Sequence, residues 1–248
     1  MALSLLLQNY KVILETTNMK LDILYEDNHL IAVFKPVGVL TQADKSGSLN
    51  LMDKVKAYLK EKYRKPGNVF LGLLHRLDRP VSGIVLFAKT SKGASRLSEQ
   101  FRNNKVEKIY HAIVFGKLKE REGRLINFIK KDKKTNKAII YINKKEGSQR
   151  AELNYEVISS NNKYSFLKIK PKTGKFHQIR AQLSEISHPI LGDIKYGALL
   201  ALPDKSIALC ATSLSFETPT KPSFAKATEG KKEISIPVPA FWKKFISI

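Results

Sequence analysis

A single cysteine, Cys210, leaves this 248-residue chain without an internal disulfide and points to a reducing, cytoplasmic setting. The five histidines stand far apart, with no Cys-x-x-Cys and no His-x-x-x-His pair, so a structural zinc site is not expected. Gly-x-x-x-x-Gly-Lys-Ser/Thr is also missing: Gly174-Lys175 and Gly230-Lys231 each lack the earlier glycine. Nothing therefore signals a nucleoside-triphosphate site. Met1-Ala2-Leu3-Ser4-Leu5-Leu6-Leu7 turns polar at Gln8 and has no positively charged start. That run is too short for a signal sequence or a membrane span. Acidic residues are scarce, with 22 Asp and Glu against 44 Lys and Arg, a net charge of +22. Such an excess predicts a polyanionic partner, nucleic acid first of all. A basic background that merely keeps the chain soluble is the bland alternative, because the charge is spread along the whole chain.

The length allows a real core and is most simply one domain, and 43% apolar residues exclude a disordered tail. Met19 stands just before the first clear strand. Residues 1–18 thus read as a loosely held extension, or Met19 as the natural start. Ile23-Leu24-Tyr25 and Leu30 to Phe34 are short β-like runs around the turn Glu26-Asp27-Asn28. Leu51, Met52, Val55, Tyr58 and Leu59 recur at helical spacing behind the possible caps Ser48 and Asn50. Ile84 to Ala88 reads as a buried strand, and Ala94, Leu97 and Phe101 mark a second helix opened by Thr90 or Ser91.

Beyond Tyr110 the chain turns β-rich. Arg124 to Lys130 and Ala138 to Ile142 flank Lys131 to Asn136, which predicts a hairpin with a very basic tip. Leu153 to Ile158 and Tyr164 to Ile169 give another strand pair. A helix suits His177 to Ile186, the last strands are Ile207 to Phe216 and Glu233 to Val238, and a short helix lies around Phe241 to Phe245. This alternation predicts an α+β domain around a large, mainly antiparallel mixed sheet with flanking helices and loops. A polar stretch at about 218–232 is long for a hairpin connection and reads as a flexible surface insertion.

The most informative stretch is His75 to Thr90, His-Arg-Leu-Asp-Arg-Pro-Val-Ser-Gly-Ile-Val-Leu-Phe-Ala-Lys-Thr. It sets Asp78 between Arg76 and Arg79, and adjacent positive charge favours the anion of an acid placed there. From about Leu21 to the C-terminus the chain resembles the RluA-type pseudouridine synthases, which isomerise uridine in ribosomal or transfer RNA. Ile23 to Ile31 with Lys35-Pro36-Val37-Gly38 resembles the family's opening, and His75 to Thr90 its catalytic signature. Lys108-Ile109-Tyr110-His111-Ala112, Thr173 to Arg180, and His188 to Gly197 resemble later blocks. Five blocks in order are far more specific than any one of them. Val81, Phe176 and Cys210 depart from residues common in relatives, and none of the three is the proposed nucleophile. The N-terminal S4 RNA-binding domain of many relatives has no room here.

The resemblance implies the pseudouridine synthase fold over residues 19–248 and a reaction that breaks the N1–C1′ bond, rotates the uracil and joins C5 to C1′. No redox change occurs, so it implies no cofactor and no metal. The family's catalytic aspartate maps onto Asp78, which would attack C1′ or take a proton from C2′. Arg180 would pair with Asp78; two unit charges ~4 Å apart attract by about 4 kcal/mol at an effective dielectric near 20. Tyr110 would stack on the target base and help remove the C5 proton. The uridine must be flipped out of folded RNA, at a cost of a few kcal/mol. Arg76, Arg79 and Lys108 are candidate RNA-binding residues, as are Lys130, Lys131, Lys133, Lys134 and Lys137 on the basic hairpin. His75 and His177 read as structural hydrogen-bonders. The expected partner is rRNA or tRNA, with no membrane and no obligate protein partner, and nothing demands more than a monomer. Two competing readings are a non-catalytic RNA-binding or ribosome-assembly factor, and a hydrolase using Ser82, which lacks the Gly-x-Ser-x-Gly setting.

Overall fold

The computed structural model describes residues 20–44, 47–218 and 230–247. The expected extension over residues 1–18 and the greater part of the expected insertion, residues 219–229, lie outside the described residues. At the borders of the latter, the Thr218 N–H donates to the Gly230 carbonyl at 2.7 Å.

In chain order the elements are β1 (Ile23–Glu26), β2 (Leu30–Lys35), α1 (Leu51–Lys62), β3 (Gly72–Leu73), β4 (Ser82–Ala88), α2 (Ser91–Arg102), β5 (Glu107–Phe115), β6 (Glu122–Asp132), β7 (Lys137–Tyr141), β8 (Gln149–Ser160), β9 (Tyr164–Pro171), α3 (Gln178–Glu185), β10 (Leu209–Glu217) and β11 (Lys231–Ser235). Short 3-10 turns occupy Ile194–Tyr196 and Ala240–Lys244. All eleven strands join one sheet in the order β1-β2-β4-β10-β5-β9-β8-β6-β7, with β3 beside β4 and β11 beside β10. Only β4 and β10 run parallel among the described pairings, so the sheet is mainly antiparallel, as the alternating pattern predicts.

Period-two alternation splits the core between the two faces of the sheet. Ile31, Val33, Val85 and Phe87 point into the larger cluster, where α1 contributes Leu51, Val55 and Leu59. Leu30, Ala32, Ile84, Leu86 and Ala88 point the other way, against Leu97, Ala94 and Phe101 of α2. Each fully buried aliphatic side chain contributes roughly 1.5–3 kcal/mol. Of the alternative caps, Asn50 and Thr90 do the capping: each side chain accepts the backbone N–H three residues on, from Asp53 and Gly93.

The hairpin tip differs from expectation. Strand β6 begins at Glu122 and runs on to Asp132, so the turn shrinks to Lys133–Asn136. The Asp132 carboxylate causes this by accepting from the Lys134 and Thr135 backbone N–H groups and from the Thr135 hydroxyl. Lys130 and Lys131 are therefore strand residues, and only Lys133 and Lys134 crown the turn.

Strands β4 and β10 meet only through Ser82 and Gly83 opposite Cys210 and Ala211. Gly83 has φ +128°, and a Cβ there would collide with the Ala211 backbone. This seam lies immediately after the loop that carries Asp78. Away from it, Glu26 ties the end of α1 and Lys89 to β1. Its carboxylate accepts from Tyr58 (2.9 Å), Tyr63 (2.7 Å), Lys62 (2.7 Å) and Lys89 (2.6 Å). Burial alone raises a carboxyl pKa, but these four donors outweigh it and hold Glu26 at about 2.

Two outcomes follow. Gly83→Ala is expected to destabilise the fold by more than about 2 kcal/mol, because it combines a forbidden φ with a backbone clash at the seam; thermal unfolding measures this. Because the folded-state pKa of Glu26 lies below its unfolded value, its contribution is complete above pH 4.5 and is lost as pH falls through about 2. Glu26→Gln is thus expected to cost about 1–3 kcal/mol in urea unfolding at pH 7, with a smaller gap at pH 3.

Candidate active site

Asp78 lies on the loop between β3 and β4, and that loop is held from beneath by residues 35–41. The Thr41 hydroxyl donates to the Leu77 carbonyl (2.9 Å) and accepts the Leu77 N–H (3.1 Å). The Gly38 N–H donates to the Arg79 carbonyl (2.8 Å), and Arg79 Nε returns to the Gly38 carbonyl (2.9 Å). Lys35 is fully buried, and its ammonium donates to the carbonyls of Val39 (2.8 Å), Pro36 (2.9 Å) and Arg79 (3.3 Å). Burial lowers its pKa to about 7, with the Asp78 charge acting in the opposite sense.

Arg180, in the first turn of α3, is 5% exposed. Its Nε and Nη2 grip the two carboxylate oxygens of Asp193 at 2.7 and 2.8 Å, a bidentate fork. That grip turns Nη1 toward Asp78, where it donates to Oδ2 at 3.0 Å. The guanidinium carbon also sits 4.9 Å from the Tyr196 ring centre. Burial disfavours the Arg180 charge, but Asp193 and Asp78 outweigh that and raise its pKa. The Asp78 side chain itself keeps 29% of its surface exposed. Its Oδ1 has no hydrogen bond among the described residues, so one oxygen is anchored and the other is free.

His177 starts α3 with φ 51° and makes no capping hydrogen bond. Its Nε2 is 3.5 Å from Asp78 Oδ2, and its Nδ1 is 2.8 Å from the Tyr196 hydroxyl. That hydroxyl accepts the Ala138 N–H at 2.7 Å, which ties β7 to the site. Burial pulls the His177 pKa down to about 4, so the ring is neutral at neutral pH; Asp78 opposes the shift and Arg180, Lys195 and Lys131 add to it. Phe176, one of the departures noted above, stacks on His177 (3.8 Å between centres), and the Lys131 ammonium sits over the Phe176 ring, 4.4 Å from its centre. His75 serves the backbone, accepting the Leu86 N–H through Nε2 (3.0 Å) and stacking on Phe101. Both histidines are hydrogen-bonded as expected of structural groups.

Tyr110 faces Ala211 across β10 and Ile169 across β9, and lines the pocket with Asp78, Arg76, Lys108, Lys175, His177 and Arg180. Burial, then the charges of Asp78 and Cys210, raise its pKa and keep the phenol protonated. Arg76 and Lys108 thus reach the pocket, whereas Arg79 is exposed and lines neither of the two clefts that Arg76 lines. On the hairpin, Lys130 donates to the Glu146 carbonyl (3.0 Å), and Lys133, Lys134 and Lys137 are exposed. Asp193, Tyr196 and Lys35 are the contributors that residue-by-residue reading of the sequence does not single out. Their signals were present: Asp193 and Tyr196 fall in the block His188 to Gly197, and Lys35 is a lone cation closing an apolar strand.

A family model described as RNA pseudouridylate synthase matches residues 29–185, a span that holds Asp78, Tyr110 and Arg180. The tRNA pseudouridine synthase C of Haemophilus ducreyi is 35% identical over 195 residues, covering 73% of this chain and 76% of that protein. The ribosomal large subunit pseudouridine synthase D of Borreliella burgdorferi is 32% identical over 192 residues, covering 74% of this chain and 57% of that protein. The fold is similar to that of human RNA pseudouridylate synthase domain containing 4, with a TM-score of 0.72 at 24% identity over 95% of this chain and 94% of that one.

Asp193→Ala strips the buried Arg180 of its strongest partner and leaves Asp78 as its only carboxylate. The expected cost is about 3–5 kcal/mol in denaturant unfolding, the range for a broken buried ion pair, and Asp193→Asn should cost less because it keeps an acceptor.

Proposed function

The chain belongs to the RNA pseudouridylate synthase family, and from that premise we propose that Asp78 converts a flipped-out uridine of structured tRNA or rRNA to pseudouridine. As a member it is an enzyme, an isomerase acting on RNA. The observation that carries the residue assignment is the half-anchored carboxylate: Asp78 lines the pocket, Arg180 holds its Oδ2, and Oδ1 has no hydrogen bond among the described residues.

In the proposed reaction the free oxygen meets the ribose, either attacking C1′ or taking the C2′ proton. Uracil leaves through N1, turns, and bonds to C1′ through C5, which expels the Asp78 oxygen on the first route, while on the second C2′ regains its proton; the C5 proton is lost and N1 gains one, so no electron acceptor enters the balance. Arg180 keeps the carboxylate oriented. Asp193 sets the direction of Arg180, His177 stands 3.5 Å from the Asp78 oxygen that Arg180 holds, and Tyr196 fixes the His177 ring. Tyr110 packs against the base. The raised pKa of its phenol supports stacking and donation more than proton abstraction at neutral pH.

Arg76 is placed to hold a phosphate or fill the gap left by the flipped nucleotide. Arg79, Lys108, Lys130, Lys131, Lys133, Lys134 and Lys137 belong to the proposed RNA contacts, supported by their charge; all but Lys108, which is half-buried, are exposed. Lys131 would act from its place over Phe176. A single domain over residues 19–248, action as a monomer and a cytoplasmic location complete the proposal, the last supported by the one buried cysteine.

Asp78→Ala is expected to abolish tritium release from RNA labelled at uridine C5, by at least a thousandfold, while RNA affinity stays within about threefold of wild type. Undiminished release would overturn the assignment. Mapping pseudouridine in tRNA and rRNA from cells with and without the gene identifies the target.

A further inference from the structure

The catalytic pocket does not end at Asp78. Arg76, Lys108, Tyr110, Thr173, Gly174 and Lys175 line it and also line a neighbouring cleft, which continues past Arg102 and Asn104. Asn104 and Lys108 in turn line a third cleft, between the start of β5 and the ends of β9 and β10, with Lys105, Lys170, Lys172 and Lys231 on its walls. The outer two clefts measure about 610 and 580 Å³, against about 100 Å³ at Asp78. A trough that widens away from the chemistry suits a polymer entering at one end better than a compact small molecule.

Its charge is one-sided. Arg102, Lys105, Lys108, Lys170 and Lys172 form no ion pair among the described residues. The trough's two carboxylates are Glu107, which is bridged to Lys231 at 3.3 Å, and Glu217. Lys108 stands at the junction of all three clefts. It is half-buried, burial lowers its pKa, and no hydrogen bond compensates it among the described residues. Like-charged groups gathered without counterions repel one another, and a bound polyanion removes that repulsion. Asp78, His177 and Arg180 line the pocket but not the outer clefts, whereas Tyr110 lines the pocket and the neighbouring cleft.

We infer that the RNA strand on one flank of the target uridine leaves the pocket past Lys108 and lies along this trough, its phosphates met by Arg102, Lys105, Lys170 and Lys172. This rests on the isomerase reading above and adds the path of the substrate to it. None of these four side chains contacts Asp78, so their loss should act on binding alone.

The test is the triple variant Lys105→Ala/Lys170→Ala/Lys172→Ala, with Asp78→Ala beside it. Unfractionated tRNA and a uridine-containing stem–loop RNA are the binding probes, and tritium release from C5-labelled cellular RNA is the assay. Each lost phosphate contact lowers the salt slope of log K by roughly 0.7–0.9. The triple variant should therefore lose about 2 from the slope, show a KM at least tenfold higher and keep kcat within about twofold. The side chains are exposed, so a wild-type melting temperature is expected. A slope and KM equal to wild type would overturn the trough, including the case in which it serves an acidic protein instead. If Asp78→Ala is inactive in the same experiment, the isomerase reading stands without the trough; an active Asp78→Ala would remove that reading whatever the slopes show.

Discussion

The guanidinium of Arg180 is the group on which the site depends. It is buried, it carries a permanent charge, and three of its five N–H donors are taken up by two carboxylates. Asp193, 1% exposed, takes two N–H groups in the fork that matches a carboxylate. Nη1, which lies outside that fork, donates to Asp78. A lysine in that place would offer a point charge with no preferred plane. The planar fork thus turns a burial problem into an orienting device: the better Asp193 is held, the fewer positions Asp78 can adopt.

The loop carrying Asp78 would be useless to that device if it wandered. Its backbone is fixed by Thr41 and Gly38 on one side and by the buried Lys35 ammonium below. Downstream it enters the seam where β4 meets β10 for only two residues apiece. The sheet opens on either side of that contact, with β3 and β11 taking the vacated edges. An open sheet therefore places the loop at a junction that receives side chains from both halves: Tyr110 from β5, and Arg180 from the helix after β9. Glycine at position 83 is what lets the two strands approach closely enough.

Pocket and trough obey different physics. Around Asp78 the partners are buried, short and directional, so their interactions are little screened by salt and costly to break. Along the trough Lys105, Lys170 and Lys172 are exposed, each phosphate contact they would make is weak, and the sum depends on ionic strength. On the proposed reading, this division lets one chain hold the Asp78 carboxylate rigidly while accommodating an RNA backbone whose shape varies.

Much was legible from residue order alone. Alternation marked the strands from Leu30 to Phe34 and Ile84 to Ala88, helical spacing marked α1 and α2, and Asn50 and Thr90 were among the caps that short-range hydrogen bonding favours. These are local effects, decided within a few residues. Asp78, Tyr110 and Arg180 were legible through their motifs, and the structure brings all three to one pocket. Apart from the Arg180–Asp78 pair, which the resemblance implied, the order of residues did not reveal the relations between distant segments. The Asp193 fork spans 13 residues, the Tyr196 hydroxyl links α3 to β7, and the trough gathers side chains from residues 102–108, 170–172 and 231. Even the hairpin tip was misjudged, because one carboxylate closed the turn early. The sequence by itself determined which segments form strands and helices, since those depend on local periodicity, and its family-like blocks singled out Asp78, Tyr110 and Arg180 as candidates. Tertiary structure decided how charges are paired and which cations are left free, because electrostatic partners are chosen by distance in space.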